Sequence, residues 1–274
     1  MTESTTRQPA IFLPHGGGPC FFMDWTWGPA DTWDATRHFL ETLAATLPET
    51  PKAIVVISGH WEEPAFTVSA AESPKLIFDY SGFPEATYRL TWPAPGDPEL
   101  AQRVNALLTG AGLPSAVSQT RGFDHGVFVP LKVAFPEATI PVVALSLAAA
   151  SNGALDPALH LAAGCALRPL RDQGVLIVGS GMSFHNLRGY FQPGTAERAR
   201  AFDAWLTQAV ESPAAVRAAL LTEWRKAPFA TYAHPREEHL IPLMVAAGAG
   251  GEGPGTHIFS GEPMGAAISA YRFD

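Results

Sequence analysis

The sequence predicts a three-layer α/β/α fold, a single domain whose central sheet is largely parallel or mixed and is covered by helices on both faces. Three observations lead there. Short runs rich in Val and Ile alternate with helical patterns along the chain. Those runs are mostly apolar on both faces, as strands covered on two sides must be. Asp-Pro pairs, an N-cap followed by a proline at the first helical position, open two of the intervening helices. The 274 residues are 47% hydrophobic and 16% charged, ample for a sizeable core. No internal repeat or linker divides them, so one domain over residues 1–274 is expected.

The predicted strands are Ala10–Leu13, Ala53–Ser58, Phe66–Ala70, Ile140–Leu147, Val175–Gly179 and Ala267–Phe273, bounded by Gly or Pro. Helical patterns fall at 33–47, 97–111, 156–171, 196–210 and 236–247. Asp97 before Pro98 and Asp156 before Pro157 mark two starts. The stretches 77–96, dense in aromatic, Gly and Pro residues, and 225–235 read as long loops, the segments that usually build sites in such domains. His125 is placed between a loop and a strand leading to Pro130.

Charge and composition exclude several classes. The net charge of −8 is spread along the chain, and no Lys/Arg cluster forms the basic face of a nucleic-acid binder. Cys20 and Cys165 fit no metal-ribbon or CxxC spacing, and two isolated thiols suit a reducing compartment. The first ten residues carry no apolar signal-peptide core, and the longest apolar stretch, Leu240 to Ala247, is too short to span a bilayer. A soluble, cytoplasmic protein with no membrane partner is expected.

The chemistry gathers around histidines. His15, His60 and His185 each stand just beyond the carboxyl end of a predicted strand. In a parallel sheet those ends share one edge, where ligands bind, so the three side chains are expected to converge. Neutral imidazole is the commonest protein ligand for zinc and non-haem iron. Gly16-Gly17-Gly18 after His15 allows a bound group to approach the backbone closely, or simply makes a tight turn. A lipase-type oxyanion loop is excluded because no Gly-x-Ser-x-Gly elbow exists, and no phosphate-loop pattern is present. Asp124 and Glu238 each adjoin a histidine and are candidates to orient it. His38, His160 and His257 read as surface residues.

The motifs Leu-Pro-His15-Gly-Gly-Gly-Pro, Ile-Ser-Gly-His60-Trp-Glu, Asp79-Tyr-Ser-Gly-Phe-Pro84, Gly-Phe-Asp-His125-Gly, Gly-Ser-Gly-Met-Ser-Phe-His185-Asn-Leu-Arg188 and Ala-His234-Pro-Arg-Glu-Glu-His239-Leu-Ile-Pro run in order through nearly the whole chain. Together they resemble the DOPA-4,5-dioxygenase type of the class III, LigB-like extradiol dioxygenases. The chain departs from that pattern in His-Gly-Gly-Gly-Pro for His-Gly-Ser-Pro and in Arg236-Glu237 for Thr-Pro.

The resemblance implies one divalent metal ion per chain at His15, His60 and His239, with His185 close to it as a fourth ligand or, preferably, as the catalytic base. It implies Fe(II) for activity, and Zn(II) as an ion the same nitrogens hold without redox chemistry. His125 is expected to hydrogen-bond the second substrate oxygen or dioxygen. The substrates implied are O₂ and a small-molecule catechol, first of all L-DOPA, opened beside its diol to a semialdehyde that cyclises. Arg188, Arg236, Tyr232 and Tyr80 are candidates for its amino-acid end, with His234, Ser180 and Tyr271 as further ones. Two rival readings are a zinc hydrolase using Glu62 or Glu238, and a Memo-like binding protein that is not an enzyme. Monomer and homodimer are both compatible with the sequence.

Overall fold

A computed structural model describes residues 6–274. Its strands are Ala10–Pro14 (β1), Ala53–Glu63 (β2), Phe66–Ser69 (β3), Ser115–Ser118 (β4), Val142–Ala148 (β5), Val175–Gly181 (β6), Thr256–Gly261 (β7) and Ile268–Phe273 (β8). Its helices are Asp34–Leu43 (α1), Pro98–Gly110 (α2), His125–Ala134 (α3), Pro157–Leu167 (α4), Thr195–Val210 (α5), Ala214–Thr222 (α6), Ala230–Ala233 (α7) and Ile241–Gly250 (α8).

All eight strands join one mixed sheet in the order β4-β3-β5-β2-β6-β1-β8-β7. The four central strands, β5, β2, β6 and β1, run parallel, while β8 is antiparallel to both β1 and β7. β1, β5 and β6 are buried along their whole length, which their continuous Val/Ile/Leu content requires. Every residue of α8 is buried as it lies across β6, β1 and β2 with α4 packed on it. A helix apolar all round has no other stable place. Among the described residues, no helix is long and apolar enough to cross a membrane.

Four places depart from the sequence reading, each for a physical reason. β4 and β7 lie at the two edges of the sheet, where half-exposed polar residues hide the strand pattern. His125 opens a helix, α3, and not a strand. Nearly all its faces are buried, so no helical period shows, and Pro130 sits inside it. Pro130 cannot donate to the carbonyl of Gly126, and the Ser180 hydroxyl donates to that carbonyl instead. The last predicted helix starts at Ile241, not 236, because Pro242 is tolerated only in a first turn. His239 therefore stands in the turn before α8.

His160 is the fourth. It is fully buried, not a surface residue: its Nδ1 donates to the Asp156 carbonyl (2.7 Å) and its Nε2 accepts from the Ala148 amide (3.2 Å). Those bonds need the neutral ring, and burial lowers its pKa to about 4, against the weaker upward pull of Asp156. His257, half-buried, hydrogen-bonds Ser269, whereas His38 is exposed as expected.

Arg171 ties three chain ends together inside the core. Its guanidinium donates to the carbonyls of Ala249 and Gly250 at the end of α8, of Phe273 on β8 and of Gln8 before β1, at 2.7 to 3.0 Å. Burial lowers its pKa only to about 10, so it stays charged at neutral pH.

Two outcomes follow from these buried groups. Arg171→Met leaves four buried carbonyls without a donor and lowers unfolding free energy by about 3–5 kcal/mol, read from the denaturant midpoint. For His160 the unfolded chain binds the extra proton first, so its contribution is present above pH about 6.5 and is lost as pH falls toward 4. The parent protein should then lose up to about 3 kcal/mol more stability between pH 7 and 4 than a His160→Gln variant; equal pH slopes would refute the assignment.

Candidate metal centre

The carboxyl ends of β1, β2 and β6 lie side by side in the centre of the sheet, and the site is built on them. His15 follows β1, its backbone amide bonded to the Gly181 carbonyl of β6 (3.1 Å). The turn after it depends on Gly16, which has φ +88° and where a Cβ would stand 2.6 Å from the Cys20 sulfur. His60 lies within β2 where the register with β5 slips between Ile57 and Glu62, an irregularity of the kind that re-aims a side chain. His239 is held over the same edge because its carbonyl accepts from the Met182 amide (2.9 Å). That approach needs Gly181: a Cβ there would stand 2.1 Å from the His239 carbonyl oxygen.

These placements bring three imidazoles face to face. The Nε2 of His60 is 3.2 Å from that of His15 and 3.1 Å from that of His239. Each Nδ1 points outward to an acceptor: His15 to the Gly16 carbonyl (2.9 Å), His239 to the Glu238 carboxylate (2.9 Å), His60 toward Asp79 (3.6 Å). With the protons on Nδ1, three Nε2 lone pairs converge on one point. Burial, and then the mutual repulsion of the surrounding histidines, hold all three rings well below the usual histidine pKa, so protonation does not relieve them.

A divalent cation relieves that convergence. With metal–nitrogen bonds of about 2.1 Å, ligand nitrogens lie about 3.0 Å apart at right angles and about 3.4 Å apart in a tetrahedron. The observed separations fall between the two, so the residues fit the ion.

Two carboxylates brace the surrounding histidines. Asp79, from the 77–96 loop, accepts from the backbone amide (2.9 Å) and Nδ1 (2.8 Å) of His125. Burial alone would raise its pKa, but the hydrogen bond and charge of His125 outweigh it and hold Asp79 down to about 2. Glu238 faces both His239 and the Nδ1 of His185 (3.3 Å). His185 stacks on His239, ring centroids 3.4 Å apart and planes at 19°. It groups with Glu238 and His239 and stands outside the trio of His15, His60 and His239. Asp124 braces no histidine ring; it caps α3, accepts from Ser58 and pairs with Arg121.

A cavity of about 520 Å³ opens over these groups. Its lining combines His15, His60, His125, His185 and His239 with aromatic residues led by Trp25, Trp27, Trp33 and Phe83. Several proposed substrate contacts lie elsewhere. Ser180 is buried and spent on Gly126. His234 is buried with Nε2 bonded to the Ser183 carbonyl (2.9 Å). The Tyr232 hydroxyl meets Thr195 and its ring lies under Arg198. Arg188 is exposed and is not among the lining residues, Arg236 is paired with Glu62, and Tyr271 lies in the core. Of the substrate candidates, Tyr80 does line the cavity, but its hydroxyl donates to the Thr87 carbonyl (2.7 Å).

Sequence reasoning missed Asp79 as the brace of His125, and the aromatic wall altogether. The Asp-Tyr-Ser-Gly-Phe-Pro motif was the available signal for Asp79. For the wall it was the density of Trp between 25 and 33. Asp79→Asn weakens the hold on His125 and should cost roughly 10–100-fold in kcat/KM or in zinc affinity, with the fold unchanged by circular dichroism.

Comparisons with known proteins point to one family. The family described as the catalytic LigB subunit of aromatic ring-opening dioxygenase matches residues 9–273. A 4,5-DOPA dioxygenase extradiol of Beta vulgaris is 39% identical over 87% of this chain and 89% of its own. One of Escherichia coli K12 is 36% identical over 96% and 93%. The dioxygenase tasH of Hapsidospora irregularis is 37% identical over 96% and 84%. A crystal structure of an uncharacterized Escherichia coli K12 protein superposes with a TM-score of 0.76 at 31% identity, covering 98% of this chain and 100% of that one.

Proposed function

The chain belongs to the LigB family and is a metal-dependent extradiol dioxygenase that uses a small-molecule substrate and O₂, and from that premise we propose that it opens a catechol ring with one ferrous ion held by His15, His60 and His239. The observation that carries this reading is the convergence of three Nε2 lone pairs, at 3.1 and 3.2 Å, on the floor of an aromatic cavity. The whole chain acts as one catalytic domain. A ferrous ion bound by these histidines would supply Lewis acidity that lowers the pKa of a catechol's hydroxyls and the one-electron chemistry that O₂ needs.

The chain's own groups do the rest. His185 takes a catechol proton at Nε2, because its Nδ1 faces Glu238 and the carboxylate stabilises the imidazolium that forms. His125, its Nδ1 held by Asp79, presents Nε2 to the second hydroxyl or to dioxygen and fixes the ring's orientation. The aromatic wall keeps water from the reacting ring. Three neutral ligands would leave the ion's charge unneutralised by its own ligands, which favours the catecholate. L-DOPA is the reference catechol, since the names of several relatives contain it.

The test is anaerobic loading with Fe(II), then O₂ uptake and absorbance across a catechol panel. One O₂ consumed per catechol with a yellow semialdehyde is expected, and no uptake from the zinc form. Among variants, His239→Ala should empty the metal site. His185→Gln should keep the metal while kcat falls roughly 10²–10⁴-fold. Equal metal loss in both variants would make His185 a ligand and not the base.

A further inference from the structure

The cavity wall says what kind of catechol it takes. Among the described residues, no Lys or Arg lines it, and Asp79, its one carboxylate, is committed to His125. Arg236 is paired with Glu62 and Arg121 with Asp124, and Arg188, exposed next to Leu187, is not among the lining residues. A carboxylate on the substrate's side chain would enter a mostly apolar wall that holds no cation in its lining, inside a chain of net charge −8.

The mouth is apolar as well. Of the large hydrophobic side chains that stand exposed, Trp27 (50%), Leu187 (71%) and Phe191 (69%) line this same cavity. They come from two distant loops and meet around one opening. Phe191 holds φ +66°, a left-handed conformation that is costly for a bulky residue and that tends to persist where a site uses it. An exposed apolar rim continuous with a reactive cavity marks a surface that a ligand covers.

We infer that the preferred catechol carries a bulky, uncharged alkyl or aryl substituent, seated between Trp27 and Phe83 on one side and Leu187 and Phe191 on the other. A carboxylate on that substituent is selected against. The inference rests on the ring-opening reading above and names the substrate class of the same site.

Two measurements test it with three probes: 4-tert-butylcatechol, L-DOPA and 3,4-dihydroxyphenylacetate. Zinc-loaded protein reports binding by quenching of tryptophan fluorescence without turnover, and iron-loaded protein reports kcat/KM. The tert-butyl compound should win by roughly tenfold or more in both, the size of effect apolar contacts give. Leu187→Arg, a cation placed at the exposed rim, should shift the ratio of dihydroxyphenylacetate to tert-butylcatechol about tenfold toward the carboxylate. If either carboxylate-bearing catechol binds or reacts as well as tert-butylcatechol, the inference is overturned while the ring-opening reading stands. If no catechol drives O₂ uptake, the ring-opening reading falls and takes the inference with it.

Discussion

Three imidazole nitrogens held about as far apart as the ligands of one small cation are the constraint around which this molecule is organised. Neutral rings do not converge nose to nose by preference, so the scaffold must force them. It does so with backbone: the His15 amide bonds to β6, the His239 carbonyl accepts from Met182 beside Gly181, and His60 leaves the β2 register where the pairing slips. The buried sheet centre supplies the rigidity, since its parallel strands are packed on both faces and cannot yield to the repulsion.

Around that trio, two carboxylates divide the remaining histidines. Asp79 holds His125 by two hydrogen bonds and faces His60, while Glu238 faces both His239 and His185. Each carboxylate thus fixes an Nδ1 proton and leaves an Nε2 toward the cavity. The same pairing also stabilises an imidazolium, which is what proton transfer from a catechol demands. Glu238 adjoins its histidine in sequence, but Asp79 lies 46 residues from His125 and reaches it only through the loop.

The cavity lining is of two kinds. Five histidines and the Asp79 carboxylate make the polar part, and indole and phenyl rings make most of the rest, extending to an exposed rim. The polar part determines what reaction is possible, and the apolar part determines what the reacting ring may carry. The polar part also depends on a repair deep in the core: Ser180 supplies the hydrogen bond that Pro130 cannot, which steadies the α3 helix that begins with His125.

By itself the sequence determined six of the sheet's eight strands and the strand-end placement of His15, His60 and His185, because apolar runs and Gly/Pro boundaries are local signals. The ordered motifs also made the family legible, and with it His239. Local pattern failed where burial or exposure erased the period, as in α3, apolar on almost every face, and in the edge strands β4 and β7. Tertiary structure alone decided that His160 is a core residue, that Ser180 and His234 face the core and not the cavity, and that Asp79 braces His125. Those outcomes turn on which partner a polar atom meets after folding. Sequence spacing carries no record of that when the partners are tens of residues apart.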